Sequence, residues 1–180
     1  IKKNRVWIGA DSIMFIRFIR KYLNIYKFNN VLEIGSGTGI VISFLSRNVK
    51  KCEGIEINNR ALEFSKTNII LNKIKNTKIY YSNIYSKVKK KFDLVIANPW
   101  FVNLEKKGLE EVPLIVRNLE KVLNKNGVCL ILMNSYIINN SDTIIKYLKS
   151  LIKIKKYDIK LYSNGCFYEF ARYKDYKKFN

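Results

Sequence analysis

From residue 31 onward, short apolar runs rich in β-branched residues alternate with longer stretches in which apolar positions recur at helical spacing. The runs predict strands at residues 31–35, 51–57, 77–82, 92–97 and 128–133. Between them, Ile40, Val41, Phe44 and Leu45 mark a helix that opens at a glycine-rich turn, and residues 59–72 form a second with Leu62, Phe64 and Ile69 inward. A third follows Pro113, repeats Ile115, Leu119, Val122 and Leu123, and stops where Gly127 can take a left-handed cap. Upstream, Asp11 and Ser12 offer N-cap oxygens to a helix reading Ile13-Met14-Phe15-Ile16-Arg17-Phe18-Ile19-Arg20, apolar on one side and basic on the other. After the fifth strand, residues 142–154 read as a helix. Residues 157–162 and 166–173, on either side of Ser163-Asn164-Gly165, read as a hairpin of two tyrosine-rich strands.

Alternation of this kind winds a mostly parallel sheet out of βαβ units. The expected class is therefore α/β: a Rossmann-like, seven-stranded, mostly parallel sheet with a C-terminal antiparallel hairpin and helices on both faces. The 180 residues fit a single core. They divide into a cap segment and helix over residues 1–30, the main domain over 31–173, and a loose lysine-rich tail over 174–180.

Composition removes several functions. Hydrophobic residues make up 48% of the chain, too many for disorder, and no apolar run approaches the roughly 18 residues that suggest a bilayer span. The chain lacks a signal-peptide pattern and reads as soluble and cytoplasmic, with no membrane partner. It begins at isoleucine, which leaves open a missing N-terminal piece. Cys52, Cys129 and Cys166 lie far apart without a C-x-x-C spacing, so reduced thiols are expected, with neither a disulfide framework nor a metal site. Histidine is absent altogether, which removes the usual general base and the commonest metal ligand. The net charge of +20 points to a nucleic-acid partner, since lysines gain affinity by displacing counterions from phosphates. A drift toward A/T-rich codons would give the same excess of lysine, isoleucine, asparagine and tyrosine, so both sources stay open.

The chemistry gathers at strand ends. Val31-Leu32-Glu33-Ile34-Gly35-Ser36-Gly37-Thr38-Gly39 is an apolar strand that runs into a G-x-G-x-G turn and a helix. Such glycines let a ligand approach the main-chain N–H groups. The Gly-Lys-Ser/Thr ending of a nucleoside-triphosphate loop is missing, and Ile40 stands where the dinucleotide fingerprint has its third glycine. An acid at Glu33 suits a ligand with a positive amine and sulfonium better than a pyrophosphate.

The Glu33-x-Gly35-x-Gly37-x-Gly39 segment resembles the first motif of class I S-adenosylmethionine-dependent methyltransferases, in the small-domain group. The resemblance implies that Gly35, Ser36, Gly37 and Gly39 cradle the methionine part of S-adenosyl-L-methionine, with Glu33 orienting it. Glu56, nineteen residues after Gly37, would hold the ribose hydroxyls, with Ile57 against the adenine. Asn83, where the family often has aspartate, would accept from the adenine amino group. Trp7-Ile8-Gly9-Ala10-Asp11-Ser12 is similar to a segment that precedes the first motif in this group and borders the cofactor pocket.

Phe92-Asp93-Leu94-Val95-Ile96-Ala97-Asn98-Pro99-Trp100-Phe101 resembles the Asn-Pro-Pro-Tyr/Phe motif of methyltransferases that modify a nitrogen conjugated to a π-system. The lone pair of such a nitrogen is delocalised. If the Asn98 side-chain oxygen and the Pro99 carbonyl accept its two N–H bonds, they stabilise the positive charge that develops and aim the lone pair at the methyl group. Phe101 keeps the aromatic position, whereas Trp100 replaces the second proline and alters the pocket. The expected function is N-methylation of a planar conjugated nitrogen, first in an RNA base, with Trp100 and Phe101 stacking on it. A protein glutamine or a small amine is the alternative acceptor, and a non-catalytic RNA-binding domain the distant one.

Overall fold

The computed structural model describes Val6 and residues 9–99, 111–133, 137–138 and 141–142. The chain divides into two units, Ile1–Asn134 and Ser135–Asn180. In the second, β6 (Ile137–Ile138) and β7 (Ser141–Asp142) form a two-residue antiparallel pair. Asp142 is thus in a strand, not at the start of a helix, and the rest of the helix and hairpin expected after it lies outside the described residues.

The first unit is built on five strands: β1 (Asn30–Ile34), β2 (Lys51–Glu56), β3 (Thr77–Tyr81), β4 (Phe92–Ala97) and β5 (Leu123–Ile131). All pair in parallel, in the order β3-β2-β1-β4-β5. The expected sheet is therefore seen as five parallel strands, its sixth and seventh falling outside the described residues. The central strands carry apolar residues at both alternating positions: Val31 and Leu32 in β1, and Leu94, Val95 and Ile96 in β4, are each fully buried. Strands of this kind need cover on both faces. On one face, α1 (Ala10–Ile25), α2 (Ile40–Ser46) and α3 (Asn59–Leu71) deliver Phe15, Ile19, Val41, Leu45, Leu62 and Ile69 to a core shared with Val31, Ile79, Leu94 and Ile96. Phe64, expected inward, is 46% exposed and lies against Arg60, because α3 presents Leu62, Ser65 and Ile69 to the sheet instead.

The helix expected after Pro113 is shorter than its periodicity suggests. Helix α4 spans Glu111–Arg117, with Pro113 inside its first turn, where a missing N–H costs nothing. At Asn118 the backbone leaves helical geometry (φ −111°, ψ 9°), and one 3₁₀ turn, Leu119–Lys121, follows. Leu123 is then captured by β4 through its pairing with Phe92, so β5 starts five residues earlier than expected and bulges before Val128 pairs with Leu94. The left-handed residue is Asn126 (φ 68°), not Gly127. Glycine at 127 serves close approach instead: a Cβ there would sit 2.8 Å from Leu123 Cδ1 and 2.9 Å from the Asn124 carbonyl.

Asp93 joins these strands at their N-terminal ends. Its Oδ2 accepts from the backbone N–H groups of Asn29 and Asn30, both at 3.0 Å, and its Oδ1 accepts from Asn124 Nδ2 at 2.8 Å. Burial pushes this carboxyl up, but the hydrogen bonds from Asn30, Asn124 and Asn29 outweigh it and hold Asp93 below the usual carboxylate range.

Candidate cofactor and acceptor site

The strand order reverses direction between β1 and β4, since β2 and β3 lie to one side of β1 and β4 and β5 to the other. Open parallel sheets form their ligand crevice at the C-terminal ends of the strands beside such a switch. Ile34 pairs with Ala97, so the glycine turn after β1 and Asn98-Pro99 after β4 leave the sheet side by side.

The turn is held from below and left open above. The N–H groups of Gly35 and Ser36 both donate to the Ile55 carbonyl, at 2.8 and 3.1 Å, and Ser36 Oγ donates to the same atom at 3.2 Å. Gly35, Gly37 and Gly39 all have positive φ (71°, 53° and 79°). Among the described residues, a Cβ on Gly35 would meet nothing within 4 Å, and one on Gly37 only the Gly35 carbonyl at 3.9 Å. These two glycines are not crowded by any described residue, whereas a Cβ on Gly39 would press on Ser65 of α3 at 3.1 Å. Gly39 thus packs helices at the N-cap of α2.

Two acids border that space. Glu33 is 4% exposed, and its Oε2 has no hydrogen-bond partner among the described residues. Burial, and then the nearby charge of Glu56, push its carboxyl well above the usual range, against a hydrogen bond from the Ile42 backbone. Glu56 ends β2 and accepts from Gly37 N–H at 2.9 Å through Oε2, and from the N–H groups of Ile57 and Asn58 through Oε1, both at 2.8 Å. Ile57, beside it, is 51% exposed, an apolar side chain standing free at the strand end. Asn83 is exposed in the turn after β3, where Ser82 Oγ donates to the Ile84 carbonyl.

The buried, unpartnered Glu33 oxygen and the open glycine turn fit a ligand bearing a cation. Glu33, Gly35, Ser36, Gly37, Glu56 and Ile57 are the residues that could hold S-adenosylmethionine. No cluster of metal-ligating side chains occurs among the described residues. Cys52 and Cys129 are free thiols that burial pushes up to about 12, well clear of nucleophilic use.

Asn98 and Pro99 are half-buried at the end of β4. Asn98 Nδ2 donates to Asp11 Oδ2 at 2.6 Å. Asp11 is thus not the expected N-cap: Gly9 occupies that position, no side chain caps α1, and Asp11 stands in the first turn. Trp100 and Phe101 lie outside the described residues.

Three supports of the site escaped the sequence reading. Asn68 Nδ2, from α3, donates to the Thr38 carbonyl at 2.8 Å and steadies the turn. Asn76 Nδ2 donates to the carbonyls of Ser46 and Val49, at 2.8 and 3.0 Å, tying the end of α2 to β3. Gly54 lies in β2 under the turn, where a Cβ would stand 2.8 Å from Ser36 Oγ and 2.9 Å from Ile42 Cδ1. A glycine inside the strand predicted over residues 51–57 is the one signal in the sequence that could have pointed to this close approach. Ile42 is fully buried and cannot retreat. Gly54→Ala is expected to destabilise the fold by about 2 kcal/mol, as overpacking does, and to weaken S-adenosylhomocysteine binding by displacing Ser36. Urea unfolding and calorimetry of the same variant check both effects.

The chain belongs to the methyltransferase small domain family, which matches residues 11–160. It is 31% identical over 144 residues to a Methanocaldococcus jannaschii protein assigned as a protein N5-glutamine methyltransferase, covering 71% of each chain. It is 27% identical over 110 residues to ribosomal RNA small subunit methyltransferase C of Yersinia pestis, covering 60% of this chain and 31% of that one. The chain spans less than a third of the length of several relatives that it matches. Its fold is also that of the N-methyltransferase NodS from Bradyrhizobium japonicum, solved with S-adenosyl-L-homocysteine, at a TM-score of 0.57 and 18% identity over 71% of this chain and 64% of that one.

Proposed function

We propose that the protein methylates a planar, conjugated amide nitrogen, with a protein glutamine side chain as the acceptor. The observation that carries this is the placement of Asn98-Pro99 at the switch point, beside the glycine turn. Bound at the turn, S-adenosylmethionine supplies a methyl group on a positive sulfonium. Glu33 balances the cofactor's amine, Gly35, Ser36 and Gly37 admit its methionine part, and Gly39 shapes the turn. Glu56 would hold the ribose, Ile57 would pack on the adenine and Asn83 would accept from its amino group. Asn98 Oδ1 and the Pro99 carbonyl accept the two N–H bonds of the acceptor, which favours charge building on its nitrogen and fixes the approach in line. Trp100 and Phe101, which follow Pro99 in the sequence, are the aromatic residues assigned to stacking on the acceptor. No imidazole or metal is needed for this step, because the nitrogen sheds its proton after the methyl bond has formed.

The sequence alone puts an RNA base first. The Methanocaldococcus relative supports placing the glutamine ahead of it, since the match spans most of both chains, whereas the ribosomal RNA enzyme matches over less than a third of its own length. An RNA base remains the second reading, favoured by the net charge of +20. Labelled methyl transfer into an undermethylated cell extract, split between ribonuclease and protease treatment, separates the two. Label that resists ribonuclease and yields to protease supports the glutamine acceptor. The opposite pattern replaces it with RNA.

A further inference from the structure

The contact between Asp11 and Asn98 joins residues 87 positions apart and is one of the shortest hydrogen bonds of the fold, at 2.6 Å. A carboxylate only accepts, so the atom of Asn98 that faces Asp11 has to be the amide nitrogen. The amide oxygen is then turned away from Asp11, and it takes no hydrogen bond among the described residues. Both partners stand on rigid supports. Asp11 sits in the first turn of α1, where the helix dipole favours a negative charge, and α1 is anchored in the core by Phe15 and Ile19. Asn98 follows the fully buried Val95, Ile96 and Ala97 of β4.

Resting on the N-methyltransferase function above, we propose that Asp11 is a positioning residue of the acceptor site. It holds the Asn98 amide in the one orientation that offers Oδ1 to the incoming nitrogen. An unclamped amide turns over freely and in half of its settings presents Nδ2, a donor facing another donor, which repels the substrate N–H. Asp11 touches neither substrate nor cofactor in this role. Its effect has to pass entirely through Asn98.

A double-mutant cycle tests this in the full chain, with Asp11→Ala, Asp11→Asn, Asn98→Ala and the two double variants. The readouts are initial methyl transfer into undermethylated cell extract at saturating S-adenosylmethionine, S-adenosylhomocysteine affinity, and the amide-proton exchange of Asn98 Nδ2 by NMR. Asp11→Ala is expected to slow transfer on the order of 10- to 100-fold, as loss of orientation does. Asp11→Asn, which keeps size and fold but lets the two amides pair either way round, slows it less. Neither change slows the Asn98→Ala protein further. S-adenosylhomocysteine affinity stays within about twofold, and exchange of the Asn98 amide protons quickens in the Asp11→Ala protein.

Equal slowing by Asp11→Ala with and without Asn98, or a matching loss of S-adenosylhomocysteine affinity, overturns the positioning role. So does full-rate transfer by both Asp11 variants while Asn98→Ala is slow, a result that leaves the N-methyltransferase function standing. If the Asn98→Ala protein transfers label at the wild-type rate, or the wild type transfers none while binding S-adenosylhomocysteine, the acceptor function falls and the role of Asp11 falls with it.

Discussion

Asn98→Ala is expected to lower methyl transfer by about 10²- to 10³-fold, the loss typical when one preorganised partner of a developing charge is removed. Binding of S-adenosylhomocysteine should change by no more than about twofold, because the asparagine is assigned to the acceptor and not to the cofactor. The split follows from the layout of the crevice. The glycine turn hangs on β1 and β2 through the Ile55 carbonyl, whereas Asn98 follows β4 and is held by Asp11 of α1. Truncating Asn98 leaves the hydrogen bonds of the turn untouched. Steady-state kinetics paired with calorimetry on one preparation checks it, and a parallel fall in both quantities would place Asn98 in the cofactor pocket instead.

The second large effect concerns Glu33, and it has opposite signs for the empty and the filled protein. Because burial and Glu56 raise its carboxyl above the unfolded value, its contribution to stability is complete below the unfolded carboxylate range and is lost as pH rises through the raised value. At neutral pH the empty protein therefore carries a cost at Glu33. Glu33→Gln should raise the melting temperature of the ligand-free protein at pH 7 and make no difference at pH 4. The same substitution should weaken S-adenosylhomocysteine binding by about 30-fold, since in the proposed placement the cofactor's amine would enter a buried site without its counter-charge. In the wild type that affinity should climb as pH rises through the raised carboxyl, and in the variant this climb should vanish. Asp93 works the other way: its carboxyl is held low, so its stabilisation is present above the unfolded range and disappears as the solution is acidified through the lowered value. Thermal melts of both proteins across pH separate the two groups.

What the sequence disclosed and what it hid follow from how local each feature is. The glycine turn was legible because an apolar strand, three alternating glycines and a helical repeat are consecutive, and φ is positive at all three glycines. Strand β4 was legible to the residue, since a continuous apolar run ending in Asn-Pro has clear bounds. Strand β5 was not. Leu119, Val122 and Leu123 share a helical period, yet Phe92 captures Leu123, and a pairing partner supplied from elsewhere in the chain overrides the local preference. Phe64 likewise satisfies a helical stripe in isolation, and the sheet then selects the neighbouring stripe with Ser65. Asp11 looked like a cap because aspartate before an apolar helix usually is one. Nothing near it in the sequence announces a partner 87 residues away.

The strand order also sets a timetable for assembly. β1, β2 and β3 are consecutive in the chain and adjacent in the sheet, so the glycine turn, Glu33 and Glu56 come together by closing short loops. β4 has to return to β1 from much farther along: Asp93 grips the Asn29 N–H across 64 residues. Entropy of closure makes that contact the slower one to form. On the ribosome the part proposed to receive the methyl donor can thus take shape before the part proposed to select the acceptor has been made, and Asp93 is the latch that joins the late half to the early one.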